Sequence, residues 1–292
     1  MCKAATSLAL LLSLLCSGFA VAQTGGTYFV SLAGNDSNPG TRAQPWRSIE
    51  RANEQEFRSG DRLLLEGGAT FKGTLILGKG DRGASGNPIL ISSYGQGVAT
   101  IDAVDARAIS VEGGQHIRIE NLRLRGSGRK HGNTESGLYI SSVTDIEVNA
   151  VEIFGFQHSG LYFAGVNKGR FTKIHAYENG FAGISSRGEF SDDIYVGYCL
   201  TENNPGDPTI LDNHSGNGIV LGKVRKGTIE YCESRYNGWD MPREGNGPVG
   251  IWSYHSDRIT IQHNISHHNR STGIDGGGFD VDGGMTNSVL QY

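Results

Sequence analysis

The chain is poor in the residues that announce other kinds of protein. Of 292 residues only four are cysteine, and two of these fall within the first 22, so no disulfide framework can organise the rest of the chain. Seven prolines beside 44 glycines exclude a collagen-like or linker-like composition. Beyond the first 22 residues no apolar run is long enough to span a bilayer, so membrane insertion is not expected. Basic charge is not in excess either. The 26 Lys and Arg face 30 Asp and Glu, a formal charge of −4, which argues against nucleic acid as a partner.

What is present begins with a leader. Lys3 supplies the charge, Leu8 to Leu15 an apolar core and Ala20-Val21-Ala22 a small-residue cleavage site, so residues 1–22 read as a secretory signal peptide. Leu15 before Cys16 excludes a lipid anchor. The mature protein is expected to start near Gln23 and to be secreted, extracellular or periplasmic.

Residues 109–292 repeat one pattern seven times. A short alternating strand opens each copy, at Ile109, Leu138, Leu161, Ile184, Ile219, Ile251 and Phe279. A second comes 10 to 12 residues later, centred on Ile119, Val148, Phe171, Val196, Ile229, Ile261 and Leu290. The return to the next copy varies from 13 to 23 residues. Strands at a fixed period, separated by Gly and Asn, describe an all-β solenoid of stacked parallel rungs whose apolar side chains fill the interior as ladders. One ladder reads Leu122, Val151, Ile174, Cys199, Cys232, Asn264, and another Leu124, Ile153, Ala176, Thr201, Ser234, Ser266. Cys199 and Cys232 thus occupy one inward position on successive rungs. Parallel side chains suit the disulfide dihedral poorly there, and stacked buried thiols are expected.

Before the repeats, residues 23–60 hold a strand, a turn-rich loop and a predicted helix. Ser48 reads as its N-cap, Ile49, Ala52 and Phe57 as its inward face and Gly60-Asp61 as its end. Such a helix would cap the solenoid formed by 61–292. No corresponding cap comes after the last strand, so a partner or a further segment is expected at the C-terminal end.

Tyr28-Phe29-Val30-Ser31, Gly34-Asn35-Asp36-Ser37-Asn38-Pro39-Gly40-Thr41, Pro45-Trp46, Gly60-Asp61 and Asn87-Pro88-Ile89 resemble the opening of secreted proteins of the pectate-lyase-like superfamily. That resemblance implies a right-handed parallel β-helix. It leaves the reaction open among lyases, hydrolases, epimerases and binding proteins. The Asn-Thr-Asp and Arg-Ile-Lys motifs of polygalacturonases and the Asp-Pro-His-Glu of mannuronan epimerases do not occur.

The variable corner carries insertions 126–137, 203–218, 237–250 and 269–277, which are expected to wall a binding face. Beside that wall the outward positions of the first strands are Ser110, Tyr139, Tyr162, Ser185, Val220, Trp252 and Asp280. Two residues on come Glu112, Ser141, Ala164, Arg187, Gly222, Tyr254 and Asp282. Tyr139, Tyr162, Trp252 and Tyr254 are candidate sugar-stacking residues; aromatic side chains packed beneath the loops are the alternative. Lys223 and His255, one position past that column on adjacent rungs, are candidate bases, with Arg187 placed to bind a carboxylate. Asp275, Asp280 and Asp282 could begin a Ca²⁺ site. The stretch Gly276-Gly277-Gly278-Phe279-Asp280 resembles the Asp-Asp-Gly-aromatic-Asp calcium segment of family-nine polysaccharide lyases, with Asp280 on the final Asp and Gly276 and Gly277 replacing the paired aspartates. That family's catalytic lysine would map past Tyr292. His158, His267 and His268 read as corner residues. His116, Asp145, Lys168, Asp193, Lys226, Arg258 and Asn287 stack just ahead of the second strands and read as a register-fixing charge ladder. Together these features predict a protein acting on acidic polysaccharide, by β-elimination if it is an enzyme, with a non-catalytic carbohydrate-binding solenoid as the alternative.

Overall fold

Every repeat places its β-branched and aromatic residues at alternate positions, and in the computed structural model those positions face one shared interior. The structure describes residues 25–273 and 275–292; the leader expected over 1–22 lies outside them. Among the described residues the first strands form one eight-stranded sheet running from Leu75–Leu77 to Asp275–Val281. All pairing between its strands is parallel. The second strands form the facing sheet, with Ile119, Val148, Phe171, Val196, Ile229, Ile261 and Leu290 in one register column. A third, three-residue strand closes the later rungs, for example His175–Tyr177 and Leu200–Glu202. The chain is a parallel β-helix. Among its described residues no helix is long and apolar enough to cross a membrane.

The interior is continuous, from Val30 and Trp46 to Ile259 and Ile261, with these side chains almost wholly removed from water. Cys199 and Cys232 lie within it as free thiols, and burial pushes the Cys199 thiol well above its ordinary range. Beyond the third strands an asparagine stack runs parallel to the core. Asn179 donates to Asn204 Oδ1 at 3.1 Å, Asn204 to Asn237 Oδ1 at 2.9 Å and Asn237 to Asn269 Oδ1 at 2.9 Å. Each amide also donates to a main-chain carbonyl one rung back. The stack satisfies buried backbone where the insertions depart, and so pins the base of the loop wall.

The predicted helix is shorter than expected. Ser48 does cap it, accepting from the Arg51 amide at 3.1 Å, but it spans only Ile49–Asn53. Phe57 is buried from the loop beyond. Asn53 joins the helix to the first-strand sheet, donating to Thr74 O and accepting from the Ile76 amide. One side chain thus supplies hydrogen bonds that an edge strand would otherwise leave to water.

The charge ladder has the expected register and a backbone the periodicity did not reveal. His116, Asp145, Lys168, Asp193, Lys226, Arg258 and Asn287 are all left-handed, with φ between 48° and 65°. Such single-residue excursions are tolerated at a corner that every rung repeats. Their charges pair along the stack: Asp145 accepts from Lys168 at 2.7 Å and contacts His116 at 3.0 Å, while Asp193 pairs with Arg170 and Lys226.

Candidate functional site

Register places the outward columns as the alternation predicts. Ser110 pairs with Tyr139, Tyr139 with Tyr162, Tyr162 with Ser185, Ser185 with Val220, Val220 with Trp252 and Trp252 with Asp280. Tertiary packing then treats neighbouring members of that column quite differently.

The expectation that Trp252 presents an open face is corrected. Only 5% of it is exposed, because Phe181, Val220 and Val249 pack with it into a second small core, closed by Ile210 and Tyr254. Its indole donates to Asn217 Oδ1 at 3.1 Å. That oxygen also accepts from the Val249 amide, and the Asn217 amide donates to Phe181 O and His214 Nδ1. Neighbouring strand residues together with Phe181 and Ile210 from the turns have made an outward strand position an inward one.

Tyr139 and Tyr162 are half-buried and stack on each other, rings 5.2 Å apart and 15° from parallel. The Arg107 guanidinium lies 3.6 Å from the centre of the Tyr139 ring. Rungs repeat along the axis, so stacked side chains cover one another's facing surfaces and leave their edges uncovered. The pair therefore offers polar edges rather than a flat platform. Tyr254 is half-buried against Trp252 and over Gly222, where a Cβ would collide with its ring. Burial raises the hydroxyl pKa of both Tyr162 and Tyr254.

Arg187 stands at the centre of this face. Its side chain is exposed, its backbone carbonyl accepts from Tyr162 Oη at 3.1 Å, and its guanidinium reaches 3.4 Å from His158 Nε2 and 5.3 Å from the Phe181 ring centre. Among the described residues it has no carboxylate within ion-pair distance. His158 is held below the ordinary imidazole range by burial and then by Arg187. His214, 9% exposed and edge-on to Trp252 at 4.9 Å, is lowered to about 4, chiefly by burial. With Asn217 donating to Nδ1, its ring proton belongs on Nε2. Two imidazoles held below their ordinary range thus belong to this region, His158 against the guanidinium itself and His214 across the Phe181 ring from it.

Lys223 and His255 fall on successive rungs at the corner after the first strands, just past the Gly222–Tyr254 pair. Both have left-handed backbone, φ 56° and 45°. Among the described residues neither side chain has a hydrogen-bond or ion-pair partner. Asp280 comes after Trp252 in the column, and Asp282 hangs from the Ser253 carbonyl through its own amide. Burial, then the Asp282 and Asp275 charges, raise the Asp280 pKa. Asp275 lies at the far end of the same strand, beyond a register shift opposite Asn246. Among the described residues no three acidic, histidine or cysteine side chains gather as a metal cage. The expected carboxylates are spread along the chain here, Asp275 opening the strand Asp275–Val281, Asp280 near its end and Asp282 just past it.

Three further residues belong to this region. His158 has only the signature of a corner residue in the sequence, His214 sits in a non-repeating loop, and Asn217 opens the strand Asn217–Gly222 with nothing in the sequence to mark it as functional. The asparagine stack does leave a signal, an Asn three residues after each of Ala176, Thr201, Ser234 and Ser266.

The fold has parallels among solved structures. One is a GH136 lacto-N-biosidase from Eubacterium ramulus, 17% identical with a TM-score of 0.59 over 91% of this chain and 55% of that one. This chain therefore spans just over half the length of that enzyme. Pectate lyase Pel9A is 18% identical, with a TM-score of 0.53 over 91% of this chain and 78% of its own. A rhamnogalacturonan lyase is 16% identical, with a TM-score of 0.52 over 82% and 69%. These likenesses concern the fold. No curated protein matches the sequence. Residues 28–289 match the family described as "Pel9A-like, right handed beta helix region", and the chain accordingly belongs to the Pel9A-like right-handed β-helix proteins.

Proposed function

We propose that this is an exported protein that takes a uronate-containing polysaccharide along the outward face of the first-strand sheet and cleaves it by β-elimination. The observation that carries the reading is Arg187: an exposed guanidinium without a carboxylate partner among the described residues, beside Tyr162, His158 and the loop wall. A guanidinium so placed matches a sugar carboxylate in shape and charge. Neutralising that carboxylate acidifies the adjacent carbon. A base then removes its proton, the electron pair forms the new carbon–carbon double bond, and the glycosidic oxygen leaves and is protonated. Lys223 is the proposed base, with His255 beside it. Asp280 and Asp282 lie one rung further along the same face, where they could contribute to a Ca²⁺ site completed by other donors; no step here depends on one. The lyases of similar fold support the substrate class.

The test is incubation with polygalacturonate, rhamnogalacturonan and alginate, monitored by the ultraviolet absorbance of unsaturated uronate ends. Arg187→Ala is expected to lower kcat/KM by about a hundredfold with melting unchanged, and Lys223→Ala to abolish turnover. Full activity in Lys223→Ala would move the base elsewhere. Gly276 and Gly277, standing where the resembling lyases pair aspartates, favour a second reading, a non-catalytic binding solenoid. Binding of these polymers without any unsaturated product would select it.

A further inference from the structure

A cavity of about 420 Å³ lies where the third strands leave the helix, and none of the outward first-strand residues lines it. Its walls are Arg129, Lys130 and His131 of the first insertion, the corner residues Glu178 and Asn203, and Trp239 of the 237–250 insertion. Residues from four separate rungs thus meet there.

The site is held in shape. Arg129 donates to Gly206 O at 2.8 Å, and both Arg129 and Lys130 pair with Asp240, tying the first insertion to the two later ones. Trp239 is fixed on either side: the Gly238 amide donates to Asn204 O at 2.9 Å and the Asp240 amide to Pro205 O at 2.8 Å. Gly238 has φ 82°, and a Cβ there would strike Pro248 and the Arg270 carbonyl. The preceding Asn237 belongs to the asparagine stack. A rigid backbone therefore presents a tryptophan that is 51% exposed, in contrast to Trp46 and Trp252, which are buried.

From this geometry we infer a second saccharide-binding site, distinct from the Arg187 face, that takes a neutral pyranose unit on Trp239. An exposed indole offers an apolar surface to the C–H face of a sugar ring. Lys130, Glu178 and Asn203, all exposed, supply donors and acceptors for its hydroxyls. The charges decide the class of sugar. Arg129 and Lys130 share Asp240, and Glu178 adds a second negative charge to the rim, so these four groups carry no net positive charge to favour a carboxylate. Because the frame is fixed, little ordering cost opposes binding.

The buried state of Trp46 and Trp252 makes fluorescence a direct readout. Quenching by acrylamide should report Trp239 almost alone, and titration of the full chain with galacto-, manno- and gluco-oligosaccharides should shield it. Trp239→Ala should weaken that binding by at least about tenfold while leaving the melting temperature and uronate binding in place. Glu178→Gln and Asn203→Ala provide the same test without touching the indole, each reducing affinity for the shielding sugar. The site is refuted if no neutral oligosaccharide of the panel protects Trp239, or if Trp239→Ala binds as tightly as the parent. Protection by oligouronates alone would overturn the assignment to a neutral sugar.

Discussion

Two outward ladders of this helix carry charge, and they treat it in opposite ways. At the corner ahead of the second strands, Asp145 is shared by His116 and Lys168, and Asp193 by Arg170 and Lys226. Charges there answer one another along the axis. On the first-strand face the column passes from Tyr162 through Ser185 to a loop-covered Val220 and Trp252, and Arg187 is left open beside it. Both ladders obey the same register. They differ because the first corner is short and nearly equal from rung to rung, so most neighbours along it are counterparts, whereas the first-strand face borders loops of unequal length. Repetition pairs groups off; insertions break the pairing and leave some groups buried and others unanswered.

The sharpest way to break this contrast is Trp252→Ala. If the loops have made that side chain core, the variant should lose about 3–5 kcal/mol of stability. An unchanged denaturant midpoint would return Trp252 to the surface. Next in size is the pH dependence contributed by His214. Its folded pKa lies near 4 against an ordinary 6.5, so between these values the unfolded chain binds the extra proton. Its contribution is complete above about pH 6.5, is lost as pH falls, and totals on the order of 3 kcal/mol by about pH 4. Melting curves across that window should flatten in His214→Phe; an unaltered slope would mean that other groups set it. The smallest effect belongs to the paired ladder. Asp145→Asn should cost about 0.2–1 kcal/mol, with polysaccharide binding untouched, as partly exposed pairs do. A large loss of binding in that variant would erase the distinction between the two ladders.

Much of the fold is legible in the sequence because a β-helix repeats its own instructions. The alternation at Ile109, Leu138, Leu161 and their successors is sufficient to assign which strand pairs with which, residue for residue, and which side chains point inward. The stacking of Cys199 and Cys232 comes from the same count. The helix after Ser48 is shorter than its apolar spacing suggests, because Phe57 sits at a helical interval yet is buried from a loop. The left-handed corners are hidden, since charged and aromatic residues occupy them where glycine would have announced them.

The sequence by itself thus determined the rung, its register and the order of its ladders, through hydrophobic period alone. Only the tertiary structure decided what each outward residue became. Trp252 and Asp280 are register partners with the same outward phase, yet one lies beneath Phe181 and Val249 and the other at the last rung beside Asp282. Trp239, which belongs to no ladder, stands open where three insertions meet. Period specifies neighbours up and down the axis, but what covers a side chain from outside depends on non-repeating loops, whose contacts join residues as far apart as Arg129 and Asp240.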